Sequence, residues 1–143
     1  KVLIKKLDPA VTLPAYKTLG ASGMDLKAFI KESICIKSKT SSIIPTGLSV
    51  AFSQDFEIQI RPRSGLAAKN CVSVLNTPGT IDSDYRGEIK IILYNHGNDD
   101  FIVNNGDRVA QMILAPVVKI ELQESTNLPE TIRGEGGFGS TGK

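Results

Sequence analysis

Phe56-Glu57-Ile58-Gln59-Ile60-Arg61 alternates apolar and polar side chains without a break, and this hexapeptide decides the fold class. A period of two places Phe56, Ile58 and Ile60 on one face of an extended chain, the mark of a strand buried on one side. Working outward, the same period recurs in Asp25-Leu26-Lys27-Ala28, Ser33-Ile34-Cys35-Ile36-Lys37 and Gly47-Leu48-Ser49-Val50-Ala51. Runs rich in β-branched residues at Val72–Leu75, Glu88–Tyr94, Phe101–Val103 and Arg108–Ile120 add further strands. Pro45-Thr46-Gly47, Thr77-Pro78-Gly79, His96-Gly97-Asn98 and Asn104-Asn105-Gly106-Asp107 supply turns between them. Many short strands so spaced predict an all-β fold, a distorted jelly roll or β-clip barrel. One short helix is expected at Ser64–Lys69, with Ser64 at the N-cap position and Pro62 barring an earlier start.

The 143 residues point to one domain spanning 1–143, with a β core over 1–121 and a distinct end over 122–143. That end holds few apolar side chains and is crowded with Gly134, Gly136, Gly137, Gly139 and Gly142. Such a stretch cannot offset its ordering entropy by burial. It reads either as a frayed terminus or as a ligand-capturing arm that offers Arg133, Phe138, Ser140 and Thr141.

Scarce residues exclude several chemistries. One His, two Cys and no Trp leave too few ligands for a Cys/His zinc site within one chain. A catalytic triad would have to run through His96, which lies in a turn by composition and reads as a surface residue. Net charge is 17 − 15 = +2, too small to predict nucleic-acid or membrane binding. No apolar run could span a bilayer, and Lys1–Lys6 lacks a signal-peptide core. Cys35 and Cys71 read as reduced packing residues, so a cytoplasmic protein is expected.

Four internal segments could carry chemistry. Arg61-Pro62-Arg63-Ser64-Gly65-Leu66 joins a strand to a helix start, where backbone amides, a forked donor and a hydroxyl suit phosphate. A strand-end Arg pair with a routine Ser cap explains the same residues equally well. Thr77 to Gly87 holds Asp82 and Asp84 beside Tyr85 and Arg86. In extended chain the two carboxylates share a face, and either could serve as a general base; a hairpin loop with turn-forming Asp residues is the plainer alternative. Gly106–Met112 places Val109 and Gln111 on one face, so a core-facing Gln needs a hydrogen-bond partner, while Asp107-Arg108 is bland. Ala21–Leu26 enters a strand with Asp25 as a turn cap or a buried partner for an Arg.

In this order, Ala21–Leu26, Arg61–Leu66, Asn76–Gly87, Gly106–Gln111 and Arg133–Gly142 resemble the five motifs of the trimeric deoxyuridine triphosphate nucleotidohydrolases, the dUTPases. The likeness runs from residue 21 to the C-terminus, with no departure at a position expected to be functional. It implies a homotrimer with active sites at subunit interfaces, hydrolysing dUTP to dUMP and pyrophosphate. Such an activity limits uracil incorporation into DNA and supplies dUMP for thymidylate synthesis. Asp82 would correspond to the base that activates a water for in-line attack on the α-phosphorus. Asn76, Gly79, Thr80, Ile81 and Asp82, with Lys90, would form the uracil and sugar pocket. Tyr85 would pack under the deoxyribose and reject ribonucleotides. Arg63, Ser64 and Gly65 would hold phosphates, and Gln111 would support the phosphate and metal-water network. From the arm, Arg133 would meet the terminal phosphate, Phe138 would cover the uracil with Gly139 beside it, and Ser140 and Thr141 would bind phosphate oxygens. Asp25 would support the charged network. Mg²⁺ is expected as cofactor, held mainly by substrate phosphates and waters rather than by protein ligands.

Two rivals remain. A dCTP deaminase would share the fold but calls for a carboxylate aimed at the cytosine ring and a shorter, different tail. A β module binding single-stranded nucleic acid needs several exposed aromatics, and aromatics are only 6% here.

Overall fold

The computed structural model describes residues 1–139. Its elements run β1 (Leu3–Lys6), β2 (Met24–Lys27), β3 (Ile34–Ile36), β4 (Ser41–Pro45), β5 (Leu48–Ala51), β6 (Phe56–Arg61), α1 (Ser64–Asn70), β7 (Val72–Val74), β8 (Gly79–Ile81), β9 (Lys90–Asn95), β10 (Phe101–Val103) and β11 (Arg108–Pro116). The strands form four antiparallel sheets: β2-β11-β6-β8, β4-β9-β7, β1-β5 and β3-β10. The all-β, jelly-roll-like expectation holds. The barrel does not, because every sheet described is open at its edges.

The hexapeptide Phe56–Arg61 is β6 in full, paired on one side with β11 and on the other with β8. Its alternation holds from Glu57 on: Glu57 and Gln59 lie outward and Phe56, at the strand's start, is 38% exposed, while Ile58 and Ile60 are buried. They join Leu26, Ile36, Ile44, Ile91, Leu93 and Val103 in one apolar cluster between the sheets. Each such Leu or Ile contributes about 1.5–3 kcal/mol through burial. Asn95 is fully buried yet satisfied. Its amide donates to the Ile36 and Asp99 carbonyls, and its oxygen accepts from the Gly97 N–H, which locks β9 to β3.

Several local expectations change. Ser64 is the first helical residue rather than the cap; Arg63 occupies the cap position with extended backbone, and its side chain makes no capping hydrogen bond among the described residues. The strand expected over Arg108–Ile120 stops at Pro116, and residues 117–139 carry no regular structure. Cys35 and Cys71 are exposed, not packed; Cys71 instead closes α1 in the left-handed region, φ 55°. His96 lies exposed just past β9, as expected, with its Nε2 2.8 Å from the Ser73 hydroxyl. No helix among the described residues is long and apolar enough to cross a membrane.

Candidate active site

The β2 side of the four-stranded sheet assembles one charged cluster. Asp25 on β2 and Arg61 on β6 both lie opposite Gln111 on the central strand β11. The expected face of Gln111 is overturned by a β-bulge between Arg108 and Ala110. The extra residue lets Val109 and Ala110 both turn inward, at 2% and 0% exposure, and sends Gln111 to the opposite face beside Asp25. Gln111 therefore needs no partner in the core. Its amide donates to the Pro62 carbonyl at 2.9 Å and so fixes the turn that carries Arg63. Gly23 makes this possible: a β-carbon there would lie 2.9 Å from the Gln111 oxygen.

Asp25 accepts from Arg63 Nε at 2.9 Å and from Arg108 Nη1 at 3.2 Å, with 19% of its side chain exposed. Arg63 also donates to the Arg108 carbonyl. One carboxylate against two guanidiniums leaves this wall net positive, which suits phosphate. Arg108, bland by sequence, is the participant that reading missed; its role depends on the bulge, which leaves no mark in the residue types. Ser64 and Gly65 open α1 next to Arg63, and nothing would touch a β-carbon at Gly65. A larger hollow of about 290 Å³ adjoins Asp25 and Arg108, floored by Val11, Leu26 and Leu48.

The second cluster lies along the sheet's β8 edge. A small cleft of about 40 Å³ is lined by Asn76, Gly79, Thr80, Ile81 and Lys90 over apolar residues of β6, β7 and β9. Among the described residues β8 pairs only with β6, which leaves its outer backbone groups without a strand partner there. The chain then bends. Tyr85 N–H donates to the Asp82 carbonyl at 3.1 Å, so the extended geometry that would align Asp82 with Asp84 ends at Ile81. Arg86 braces this turn through the Ser83 and Tyr85 carbonyls instead of neutralising either acid. Asp82 is exposed, and no described group donates to its carboxylate. Tyr85 donates its hydroxyl to the Glu88 carbonyl at 3.0 Å.

No described hydrogen bond or ion pair joins the Asp25 cluster to the Asp82 cluster. The tail contributes a third group: Arg133 Nε donates to the Gly136 carbonyl at 2.7 Å, and Phe138 is fully exposed. Ser140 and Thr141 lie outside the described residues.

The family model for dUTPase matches residues 10–142. The deoxyuridine 5'-triphosphate nucleotidohydrolase of Rickettsia bellii (strain OSU 85-389) is 54% identical over 143 residues, covering 99% of this chain and 95% of that protein. That of Brucella melitensis biotype 2 is 53% identical over 132 residues, covering 91% and 84%. Among solved structures, the dUTPase of Staphylococcus bacteriophage 80alpha with dUPNHPP superposes at a TM-score of 0.88 and 20% identity, covering 100% of this chain and 99% of that one. A mutant dUTPase from phage phi11 of S. aureus, solved to describe coordination of a structural Mg(II) ion, superposes at 0.81 and 17% identity, covering 91% and 99%.

Proposed function

The chain belongs to the dUTPase family and is a dUTP nucleotidohydrolase, and we propose that it cleaves dUTP to dUMP and pyrophosphate through a water activated by Asp82. The observation that carries this assignment is the Asp82 carboxylate: exposed, without a described donor, one residue past an edge strand that borders a cleft. A carboxylate with free lone pairs can orient a water and take its proton. That water attacks the α-phosphorus in line, and pyrophosphate leaves from the opposite side.

Recognition follows from the surroundings. The outer backbone of Gly79–Ile81, with Asn76, offers donors and acceptors to the edge of uracil, and Tyr85 faces the sugar. Arg63, Ser64 and Gly65 take the phosphates, and Gln111 holds their turn in place. The cleft of about 40 Å³ supports a composite site, because nucleotide-sized ligands need about 300 Å³ or more. The missing walls come from other subunits of a homotrimer and from the tail. Closure brings Arg133 to the terminal phosphate, Phe138 with Gly139 over the base, and Ser140 and Thr141 to phosphate oxygens, excluding bulk water.

The oxygen-rich, His-poor donor set suits a hard cation, and among the described residues no three metal-binding side chains converge. Mg²⁺ held by the substrate's phosphates would neutralise their charge and fix their conformation. Two free thiols favour a reducing, cytoplasmic setting.

A pyrophosphate-release assay with dUTP, dCTP, dTTP and UTP tests the assignment. Turnover of dUTP far above the others is expected; comparable rates with dCTP or dTTP contradict the uracil pocket. Ammonia released from dCTP without prior pyrophosphate release identifies the deaminase instead.

A further inference from the structure

Gly87 has no obvious reason to be glycine. Its backbone lies outside the left-handed region that favours glycine, unlike Gly47, Gly106, Gly134 and Gly139. The space where its β-carbon would stand is filled by one side chain. The Tyr85 ring carbons Cζ and Cε2 would lie 2.5 and 2.9 Å from that atom, with the Tyr85 hydroxyl closer still. The hydroxyl end of the ring thus fills the space a β-carbon would take two residues on, and that hydroxyl is pinned to the Glu88 carbonyl at 3.0 Å. Glu88 is itself fixed, since its carboxylate accepts from the Gly47 N–H at 2.8 Å.

We infer that Gly87 is a positioning residue for sugar discrimination: its missing side chain is the seat that holds the Tyr85 ring where a ribose 2′-hydroxyl would collide. The inference rests on the reading above that Tyr85 faces the sugar, and it adds what holds the ring there. A methyl at position 87 collides with the far end of a half-exposed side chain rather than with backbone. The ring therefore swings away while the fold survives. Losing a fixed steric wall lets a hydroxyl-bearing sugar enter, a change worth about tenfold or more between substrates. Asp82 is left in place, so the change falls on KM more than on kcat.

The test measures kcat/KM for dUTP and UTP in wild type, Gly87→Ala, Tyr85→Ala and the double variant, with circular dichroism as a fold control. Gly87→Ala should lower the dUTP/UTP ratio about tenfold or more, in the same direction as Tyr85→Ala. The double variant should match Tyr85→Ala alone, because a methyl has no ring left to displace; such non-additivity marks a shared cause. A wild-type ratio in Gly87→Ala, alongside a lowered ratio in Tyr85→Ala, overturns the seat and leaves the sugar reading standing. Independent, multiplying effects also overturn it. A wild-type ratio in Tyr85→Ala overturns the sugar reading and the inference together. If Gly87→Ala alone does not fold, folding of the double variant supports the seat, and its failure overturns it.

Discussion

Asp25 and Asp82 are carboxylates on the same four-stranded sheet, and their surroundings are opposites. Asp25 lies on β2, the edge of that sheet opposite β8, with 19% of its side chain exposed, and two arginines donate to it. Asp82 lies one residue past the β8 edge, exposed and without a described donor. A carboxylate whose oxygens accept from two guanidiniums has few lone pairs left to orient a water; one without donors has all of them. The difference teaches that side-chain partners, not place in the sheet, set the two acids apart: arginines hold one, and the open one is the acid proposed to react. One wall is finished within the chain, and the other is the one that the tail and a neighbouring subunit are proposed to complete.

Truncation after Asn127 tests whether the open wall needs closing. A folded protein is expected, with kcat/KM for dUTP lowered by about 10²-fold or more, since the tail is proposed to supply orientation and water exclusion. Unchanged kcat/KM would mean that the Asp82 wall is already complete.

Asp25→Ala probes the finished wall. It strands the partly buried Arg63 guanidinium and frees the half-exposed Arg108, so the urea midpoint should fall by the equivalent of about 1–2 kcal/mol. An unaltered midpoint would show that the cluster is not holding the sheet face together.

The smallest effect belongs to an ion pair remote from both walls. Lys37 donates to Asp100 at 3.1 Å with side chains 73% and 45% exposed. That bond holds the Asp100 carboxyl below its ordinary 3.8 and the Lys37 ammonium above its ordinary 10.5. The stabilisation from Asp100 is therefore present above its unfolded value and lost as pH falls through the depressed one. The part from Lys37 is present below 10.5 and lost as pH rises through the raised value. Solvent screens both, so Asp100→Asn should leave Tm at pH 7 within experimental scatter. A clear drop would mean that exposed pairs here rival the Asp25 cluster.

Much of this was legible in the sequence, and the exceptions have physical causes. Phe56–Arg61 and Phe101–Val103 matched their strands residue for residue, the first through its apolar–polar alternation and the second through a short apolar, β-branched run bounded by turns. β8 was hidden inside a Thr-Pro-Gly turn signal, since three residues pairing with β6 are too few to show a period. The β11 bulge reversed the face of Gln111 and brought Arg108 into the Asp25 cluster, and no residue type announces an inserted residue. The cysteines were misjudged because apolar neighbours do not bury a residue that faces outward from a short strand or closes a helix. Gly87 stood in plain view, but what it makes room for required the ring's position.

The most direct measurement is Asp82→Asn, with dUTP affinity and pyrophosphate release determined on the same preparation. The amide keeps the shape but cannot accept the water's proton. Binding within a few-fold of wild type is expected, with turnover lowered by about 10²–10⁴-fold. Near wild-type kcat in that variant would contradict the assignment of Asp82 as the base, and with it the contrast between the two carboxylates.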